Sequence, residues 1–219
     1  MKFGLIPVKD LSKAKERLKP ILSQDKRTDL AYMMLKDVLI AFKGSKLIDK
    51  TFVVTLDPDV VIIAAELGID VIDESEQLGE SASVDYATSV CMRQGASSVL
   101  VIPGDAPLVT SDDIDSILEK DNLINSVILV PSRDEMGTNA ILRNPPDSIK
   151  SQFGHNSFIK HLEDARNKSL SVKIIKNPRI ALDIDEPGDL KLFASKPNNT
   201  NTYKELESMG IISNLATVK

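Results

Sequence analysis

The chain has 219 residues, of which 42% are hydrophobic and 27% are charged, and these proportions are typical of one globular domain. The net charge of −5 argues against a nucleic-acid partner, and no apolar run approaches the roughly 18 residues that a membrane span needs. The single cysteine, Cys91, excludes an internal disulfide framework, so we expect a cytoplasmic protein with no membrane partner.

Short β-rich segments alternate with helical patterns along most of the chain. This alternation predicts an α/β fold, with a mostly parallel central sheet and helices on both faces. The expected strands lie at residues 3–8, 51–55, 69–72, 98–102, 126–130, 138–143 and 171–176. The segment 98–102 is the most apolar of these, and we expect it to be the central strand.

Helical periodicity separates these strands. Ser23 is the predicted N-cap of a long first helix, and Gly68 is the predicted end of a second one. Further helices are expected from about residue 80 to 94, after residues 110–113, over 158–168 and from Pro187. We assign residues 1–195 to a single domain, and residues 196–219 to a polar linker and a short C-terminal helix, an appendage suited to dimer contacts.

Three aspartates lie where parallel strands are expected to end. Asp105 follows the most apolar strand, and Asp183 and Asp185 alternate around Ile184 further along the chain. Ligands of open parallel sheets bind at the carboxyl ends of the strands, and Mg²⁺ prefers carboxylate oxygens. The two segments therefore predict a magnesium site if they meet at one sheet edge. The alternative is that each aspartate only caps the helix that follows it.

A basic segment follows the first predicted strand. Residues 9–19 contain five basic side chains in a chain of negative net charge, and a triphosphate would be neutralised by such a segment. The alternative is a solvated charged turn. The chain has no GxxxxGK[ST] or GxGxxG motif, so the sequence does not support a P-loop or a dinucleotide-binding site.

Small and hydroxyl residues form a third candidate site. The segments 137–139 and 153–157 read Gly-Thr-Asn and Phe-Gly-His-Asn-Ser, and the second precedes a predicted helix. Glycine N–H groups and hydroxyls at a helix start predict an anion cradle. The alternative is that Asn156 and Ser157 are only helix caps. His161 lies on the predicted helix, where a structural role is expected.

Taken in order, these segments resemble the 2-phospho-L-lactate guanylyltransferase family, whose relatives include enzymes that use phosphoenolpyruvate. The family serves the biosynthesis of the deazaflavin coenzyme F-420. The matching stretches are residues 6–9 with 14–18, 103–108, 137–140, 153–158 with His161, and 182–187. Each stretch is weak alone, but the ordered set spans nearly the whole predicted core.

The resemblance implies the Rossmann-like nucleotidyltransferase fold of the molybdenum-cofactor enzymes, and it implies magnesium as the cofactor. The implied reaction is the transfer of GMP from GTP to the phosphate of a small phosphorylated acid, such as 2-phospho-L-lactate or phosphoenolpyruvate. Pyrophosphate is the expected second product, and a homodimer is expected. The implied site residues are Asp105, Lys15 and Arg17 in catalysis, Lys9, Ser83 and Asp85 at the nucleotide, Thr138, Gly154 and Ser157 at the acceptor phosphate, and Asp105 with Asp185 or Asp183 at the metal. Of the last two, Asp185 is favoured.

The chain departs from the family pattern at one point. Relatives often begin the helix near residue 84 with a Leu-Asn pair close to the nucleotide, whereas residues 79–85 read Gly-Glu-Ser-Ala-Ser-Val-Asp here. The sequence therefore leaves open which residue recognises the base of the nucleotide. Two other functions also stay open: a nucleotidyltransferase of the same fold that acts on a sugar phosphate or the molybdenum cofactor, and a catalytically silent nucleotide-binding protein.

Overall fold

The computed structural model of the chain describes residues 1–74 and 79–213. Seven strands in this part of the chain form one sheet. They are β1 (Lys2–Pro7), β2 (Lys50–Thr55), β3 (Asp70–Asp73), β4 (Ser98–Val101), β5 (Ser126–Pro131), β6 (Thr138–Asn144) and β7 (Ser171–Ile174). Each strand predicted from the sequence is present, with its ends shifted by no more than two residues.

The strand order is β3-β2-β1-β4-β6-β5-β7, so β4 is the central strand, as its apolar sequence predicts. Strands β1, β2, β3 and β4 pair in parallel, and β5 pairs in parallel with β7. Strand β6 runs antiparallel to both of its neighbours. The predicted mostly parallel α/β sheet is therefore confirmed.

Seven α-helices of eight or more residues accompany the sheet within the described residues. They are α1 (Gln24–Gly44), α2 (Pro58–Glu66), α3 (Glu80–Arg93), α4 (Ser111–Leu118), α5 (Ser157–Asn167), α6 (Pro187–Ala194) and α7 (Asn201–Ser208). Thr110 and Asp113 form a reciprocal capping box at the start of α4. Ser23 is the N-cap residue of α1, but its side chain makes no capping hydrogen bond.

The two faces of the sheet carry different helices. Successive side chains of β4 point to opposite faces of the sheet. Leu100 packs in one core with α1, α2 and α4, whereas Val99 and Val101 pack in a second core with α3 and α5. Cys91 is buried in this second core. The helices thus cover both faces of the sheet and leave the ends of the strands for the site.

The C-terminal helix α7 packs against α1, although the sequence suggests an appendage. Tyr203 and Leu206 are buried in a third core with residues of α1 and α6. The Asp37 carboxylate of α1 accepts hydrogen bonds from the backbone N–H groups of Asn201 and Thr202, at 2.8 and 2.9 Å. Within the described residues, no helix has the length and hydropathy that crossing a bilayer requires.

Candidate active site

A cleft of about 720 Å³ lies at the carboxyl ends of β1 and β4. Strands β2 and β3 lie on one side of β1, and β4, the next strand along the chain, lies on its other side. The strand order therefore reverses between β1 and β4. Ligands of open α/β sheets bind at such a reversal, and the cleft has the volume of a small-molecule site. Because β6 is antiparallel to β4, its first residues, beginning at Thr138, reach the same edge.

Three aspartates meet in this cleft. One carboxylate oxygen each of Asp105, Asp183 and Asp185 lies within 4.8 Å of the others. Asp105 comes from the loop after β4, and its carbonyl oxygen accepts a hydrogen bond from the backbone N–H of Ile184 at 3.2 Å. Asn139 donates to Asp183 Oδ1 at 2.9 Å and orients that carboxylate.

In the segment between β7 and α6, buried apolar residues alternate with acidic residues that face the cleft. Leu182 and Ile184 are buried, whereas Asp183 and Asp185 are only partly buried and line the cleft. Burial thus alternates from one residue to the next over residues 182–185, after the turn at 178–181. The apolar residues therefore anchor the segment and direct both carboxylates towards Asp105.

Lys15 joins two of the three carboxylates. Its Nζ donates to Asp105 Oδ2 at 2.9 Å and to Asp185 Oδ1 at 2.6 Å, and its side chain is 9% exposed. The backbone of Lys15 is left-handed, with φ 55°, which turns this side chain back into the cleft. Burial would lower the pKa of Lys15, but the two carboxylates outweigh burial and raise it above the usual lysine value.

The carboxylates themselves have unequal proton affinities. Burial and the nearby charge of Asp105 raise the pKa of Asp183 to about 6, whereas Lys15 holds the pKa of Asp185 below its usual value in spite of burial. The group offers hard oxygen ligands close together, and the Lys15 ammonium shows that a positive charge is held among them. The residues present therefore fit a magnesium ion, which is commonly held by carboxylates together with substrate phosphates.

The basic segment divides into cleft residues and a surface residue. Lys9, Lys13 and Arg17 line the cleft with Lys15. Arg17 pairs with Glu186 at 3.2 Å, and both side chains are largely exposed, so Arg17 lies at the rim. Lys19 forms an ion pair with Glu16. The solvated-turn alternative describes Lys19, but it does not describe Lys15.

The start of α3 forms the side of the cleft nearest to Lys9. Ser83 is buried there, and its hydroxyl donates to Glu74 Oε2 at 2.5 Å. Glu80 also lines the cleft, and its Oε2 lies 3.8 Å from Lys9 Nζ. Burial and the charge of Asp105 raise the pKa of Glu80 to about 7. The sequence prediction did not include Glu80, although its position at the start of a helix beside a glycine was a usable signal.

Asp85 does not reach the cleft, in contrast to its predicted place at the nucleotide. It follows Ser83 by two residues on the same helix, which corresponds to roughly 200° of rotation, so the two side chains point in opposite directions. Asp85 Oδ1 instead accepts from the backbone N–H of Ser151 at 3.0 Å and lies 3.5 Å from Arg143. Helical geometry alone was sufficient to separate these two predicted residues.

Thr138, Gly154 and Ser157 come together on the opposite side of the cleft. The hydroxyl oxygen of Ser157 accepts from the backbone N–H of Thr138 at 2.9 Å, which places the two side chains next to each other. Gly154 has φ 109°, and a Cβ built on it would meet no atom within 4 Å. The glycine therefore leaves open space beside two hydroxyls, at the N-terminus of α5, where an anion is favoured.

Comparison with known proteins identifies relatives along nearly the whole chain. The family model described as "Guanylyl transferase CofC like" matches residues 2–217. The chain is 33% identical over 199 residues to phosphoenolpyruvate guanylyltransferase of Conexibacter woesei, with 89% of each chain covered. It is 29% identical over 209 residues to 2-phospho-L-lactate guanylyltransferase of Methanobrevibacter smithii (95% and 91% covered) and 34% identical over 190 residues to 3-phospho-D-glycerate guanylyltransferase of Colwellia psychrerythraea (87% and 90% covered).

Solved structures share the fold at lower sequence identity. A protein of Desulfovibrio desulfuricans G20, provisionally named a nucleotide-diphospho-sugar transferase, superposes with a TM-score of 0.80 at 19% identity, over 98% of this chain and 97% of that one. A 4-diphosphocytidyl-2C-methyl-D-erythritol synthase superposes with a TM-score of 0.62 at 14% identity, over 88% and 96%. The predicted nucleotidyltransferase fold is therefore confirmed.

Proposed function

This chain belongs to the CofC-like guanylyltransferase family, and on that premise we propose that it transfers GMP from GTP to the phosphate group of a small phosphorylated acid. One observation carries the proposal. The carboxylate group with Lys15 and the hydroxyl pair with Gly154 line the same cleft, at the point of the sheet where nucleotides are expected. The α-phosphate of GTP would thus lie beside the carboxylates and Lys15, and the acceptor phosphate would lie beside the hydroxyls and Gly154 on the opposite side of the cleft.

The reaction needs a nucleophile that the acceptor already provides. An oxygen of the acceptor phosphate attacks the α-phosphorus of GTP, a new P–O bond forms, and the bond from the α-phosphorus to the bridging oxygen of the β-phosphate breaks. The oxygen carries the electron pair away with pyrophosphate. Because a phosphate monoester is mostly ionised at neutral pH, no side chain has to remove a proton. The protein's contribution is orientation and charge neutralisation.

The basic residues of the cleft supply most of that neutralisation. Lys15 is buried and held in place by two carboxylates, so its charge is fixed before the substrate arrives. Lys9 and Arg17 are more exposed, and they would contact the outer phosphates of the leaving group. Ammonium and guanidinium groups form charge-assisted hydrogen bonds with phosphate oxygens.

Asp105, Asp183 and Asp185 would hold a magnesium ion. When bound, such an ion neutralises charge on the nucleotide phosphates. Asp183 receives a hydrogen bond from Asn139 and Asp185 one from Lys15, so both carboxylates are oriented independently of the ion.

The acceptor would be phosphoenolpyruvate, 2-phospho-L-lactate or 3-phospho-D-glycerate, the compounds in the names of the relatives. Each combines a phosphate with a carboxylate. Thr138, Ser157 and the open space at Gly154 would receive the phosphate. A product of this kind is consistent with the predicted place in the biosynthesis of coenzyme F-420.

The test is pyrophosphate release from GTP in the presence of each of the three acids. We expect one acid to be used at least roughly ten-fold better than the others, since a difference of one or two hydrogen bonds corresponds to that ratio. Unphosphorylated lactate serves as the negative control, and glucose 1-phosphate tests a sugar-phosphate acceptor. Release with the sugar phosphate but with none of the acids would refute the proposal.

A further inference from the structure

We propose that His161 is a positioning residue for the acceptor phosphate, because it fastens the loop before α5 and directs the hydroxyl of Thr138 into the cleft. This inference rests on the proposed function. It concerns residues 151–156, which we call the acceptor loop, and the two helices that hold this loop in place.

Three consecutive N–H groups of the acceptor loop are bound by side chains. Ser151 donates to Asp85 Oδ1 at 3.0 Å, Gln152 to His161 Nε2 at 2.8 Å and Phe153 to Ser81 Oγ at 2.8 Å. Ser81 and Asp85 are four residues apart on α3 and share one side of it, whereas His161 belongs to α5. The backbone immediately before Gly154 is therefore fixed from two helices.

These hydrogen bonds determine the tautomer of His161. Because Nε2 accepts from an amide N–H, it carries no proton, and the proton of the neutral ring is on Nδ1. Nδ1 lies 2.9 Å from Thr138 Oγ1, so the imidazole donates to the threonine hydroxyl. His161 has no exposed surface, and its two nitrogens connect the acceptor loop to the first residue of β6.

The donation from His161 leaves the Thr138 hydroxyl hydrogen available. Oγ1 of Thr138 makes no other hydrogen bond among residues 1–74 and 79–213. The Ser157 hydroxyl hydrogen is available as well, because in this part of the chain Oγ of Ser157 accepts a hydrogen bond from the backbone N–H of Thr138 and donates none. Each of these two neighbouring hydroxyls thus accepts one hydrogen bond within the described residues and keeps its own hydrogen to donate. A phosphate, whose ionised oxygens only accept, complements this arrangement.

The surroundings of His161 keep its ring neutral. Burial and the neighbouring charge of Arg143 lower the pKa of His161 to about 4, Asp164 and Asp85 oppose this shift, and Lys160 adds the smallest effect, which lowers the pKa further. The ring of Phe153 meets it edge-on, with 5.3 Å between the centroids. A protonated ring would keep its Nδ1–H donor to Thr138 but lose the acceptor for the Gln152 N–H, so neutrality is needed for the contact that holds the loop.

Two substitutions separate the two contacts. In His161→Gln the amide oxygen can reach the place of Nε2 and accept from Gln152, but the donor to Thr138 is lost. In His161→Asn the amide nitrogen can take the place of Nδ1 and donate to Thr138, but the hold on the loop is lost. Leu162→Ala is the matched control, because Leu162 is the next buried residue of α5 and has no polar contact with the loop.

The experiment measures the KM for the preferred acid and for GTP in each variant, together with stability towards urea. We expect both His161 variants to raise the KM for the acid roughly ten-fold while the KM for GTP changes less than about two-fold. The Gln variant no longer directs the Thr138 hydroxyl at the phosphate and the Asn variant no longer holds the loop, and a lost hydrogen bond to a charged group corresponds to such a factor. Leu162→Ala should lower stability without this selectivity. An equal effect on both substrates, or the same selectivity in Leu162→Ala, would overturn the inference.

A double-mutant cycle with Thr138→Val identifies the route of the effect. The valine keeps the shape of the threonine and has no hydroxyl to direct, so His161→Gln should change the KM for the acid less than about two-fold further in that background. His161→Asn should still raise it. If His161→Gln raises the KM for the acid as much in the Thr138→Val background as in the unaltered protein, the inference is wrong. If the unaltered protein turns over none of the acids, the proposed function fails, and the inference with it.

Discussion

The position of one buried ammonium group organises the charges of the cleft. Lys15 lies between Asp105 and Asp185, and it is oriented by a left-handed backbone that few residues adopt outside glycine. The sequence predicts Lys15 as one of five basic residues in a segment, but it contains no local sign that this lysine alone is buried. The distinction depends on contacts with residues 90 and 170 positions away.

Asp105→Asn should abolish turnover and leave the fold intact. The amide keeps the shape of the carboxylate and removes its charge, and the Asp105 side chain is 31% exposed, so packing depends little on it. We expect turnover, measured as pyrophosphate release, to fall by at least about a hundred-fold. Asp112→Asn, which alters an exposed carboxylate of α4, is the control, and both variants should melt close to the unaltered protein. Near-normal turnover of Asp105→Asn in magnesium would contradict the metal assignment.

Lys15 and Arg17 should differ sharply in importance, although the sequence assigns both to catalysis. The Lys15 side chain is 9% exposed, and the Arg17 side chain is 70% exposed and paired at the rim. Lys15→Met should lower kcat/KM for GTP about ten- to a hundred-fold, as expected for a buried charged hydrogen-bond donor. Arg17→Met should lower it less than about five-fold, because exposed ion pairs contribute little. Equal losses in the two variants would refute this ranking.

At the scale of elements, the site depends on how helices α3 and α5 face the cleft. The sequence predicted correctly that the ends of two distant strand-like segments meet, because strand ends in parallel sheets share an edge. It assigned Ser83 and Asp85 to one role, although a helix directs them apart. The part that sequence could not provide is the acceptor loop, whose N–H groups bind side chains from three separate positions.

The link between α5 and the acceptor loop should make stability pH-dependent. The pKa of His161 is about 4 in the folded chain and about 6.5 in the unfolded one, so only the unfolded state binds a proton between these values. The contribution of His161 to stability is therefore fully present above pH 6.5, falls as the pH is lowered towards 4, and does not change further below 4. The loss amounts to roughly 3 kcal/mol across the window.

Urea denaturation of the unaltered protein and of His161→Gln between pH 7 and pH 4 measures this contribution. The variant lacks the titrating ring, and all other groups are common to both chains. The difference in the free energy of unfolding between the two should be largest near pH 7 and should shrink as the pH falls. A difference that stays constant over this range would show that His161 keeps an ordinary pKa in the folded chain.

In the whole molecule, the alternation of strand and helix patterns predicts the sheet, but it does not predict the direction of β6 or the packing of α7. The direction of β6 could have been predicted from a different feature, the short connection of residues 132–137, which leaves no room for a crossover helix and therefore requires an antiparallel strand. The packing of α7 had no local signal. It depends on Asp37, whose hydrogen-bond partners in α7 lie more than 160 residues further along the chain.

Transfer of GMP to the acid requires that an oxygen of the acceptor phosphate becomes bonded to the α-phosphorus of GTP. The most direct measurement uses an acceptor acid whose phosphate carries ¹⁸O, with the products analysed by mass spectrometry and ³¹P NMR. We predict that all of the label remains in the GMP adduct, with one labelled oxygen bridging the former α-phosphorus and the acceptor phosphorus and the others on the acceptor phosphorus alone, and that the pyrophosphate is unlabelled. Release of GDP, of free GMP or of labelled pyrophosphate would contradict the transfer of GMP to the acid.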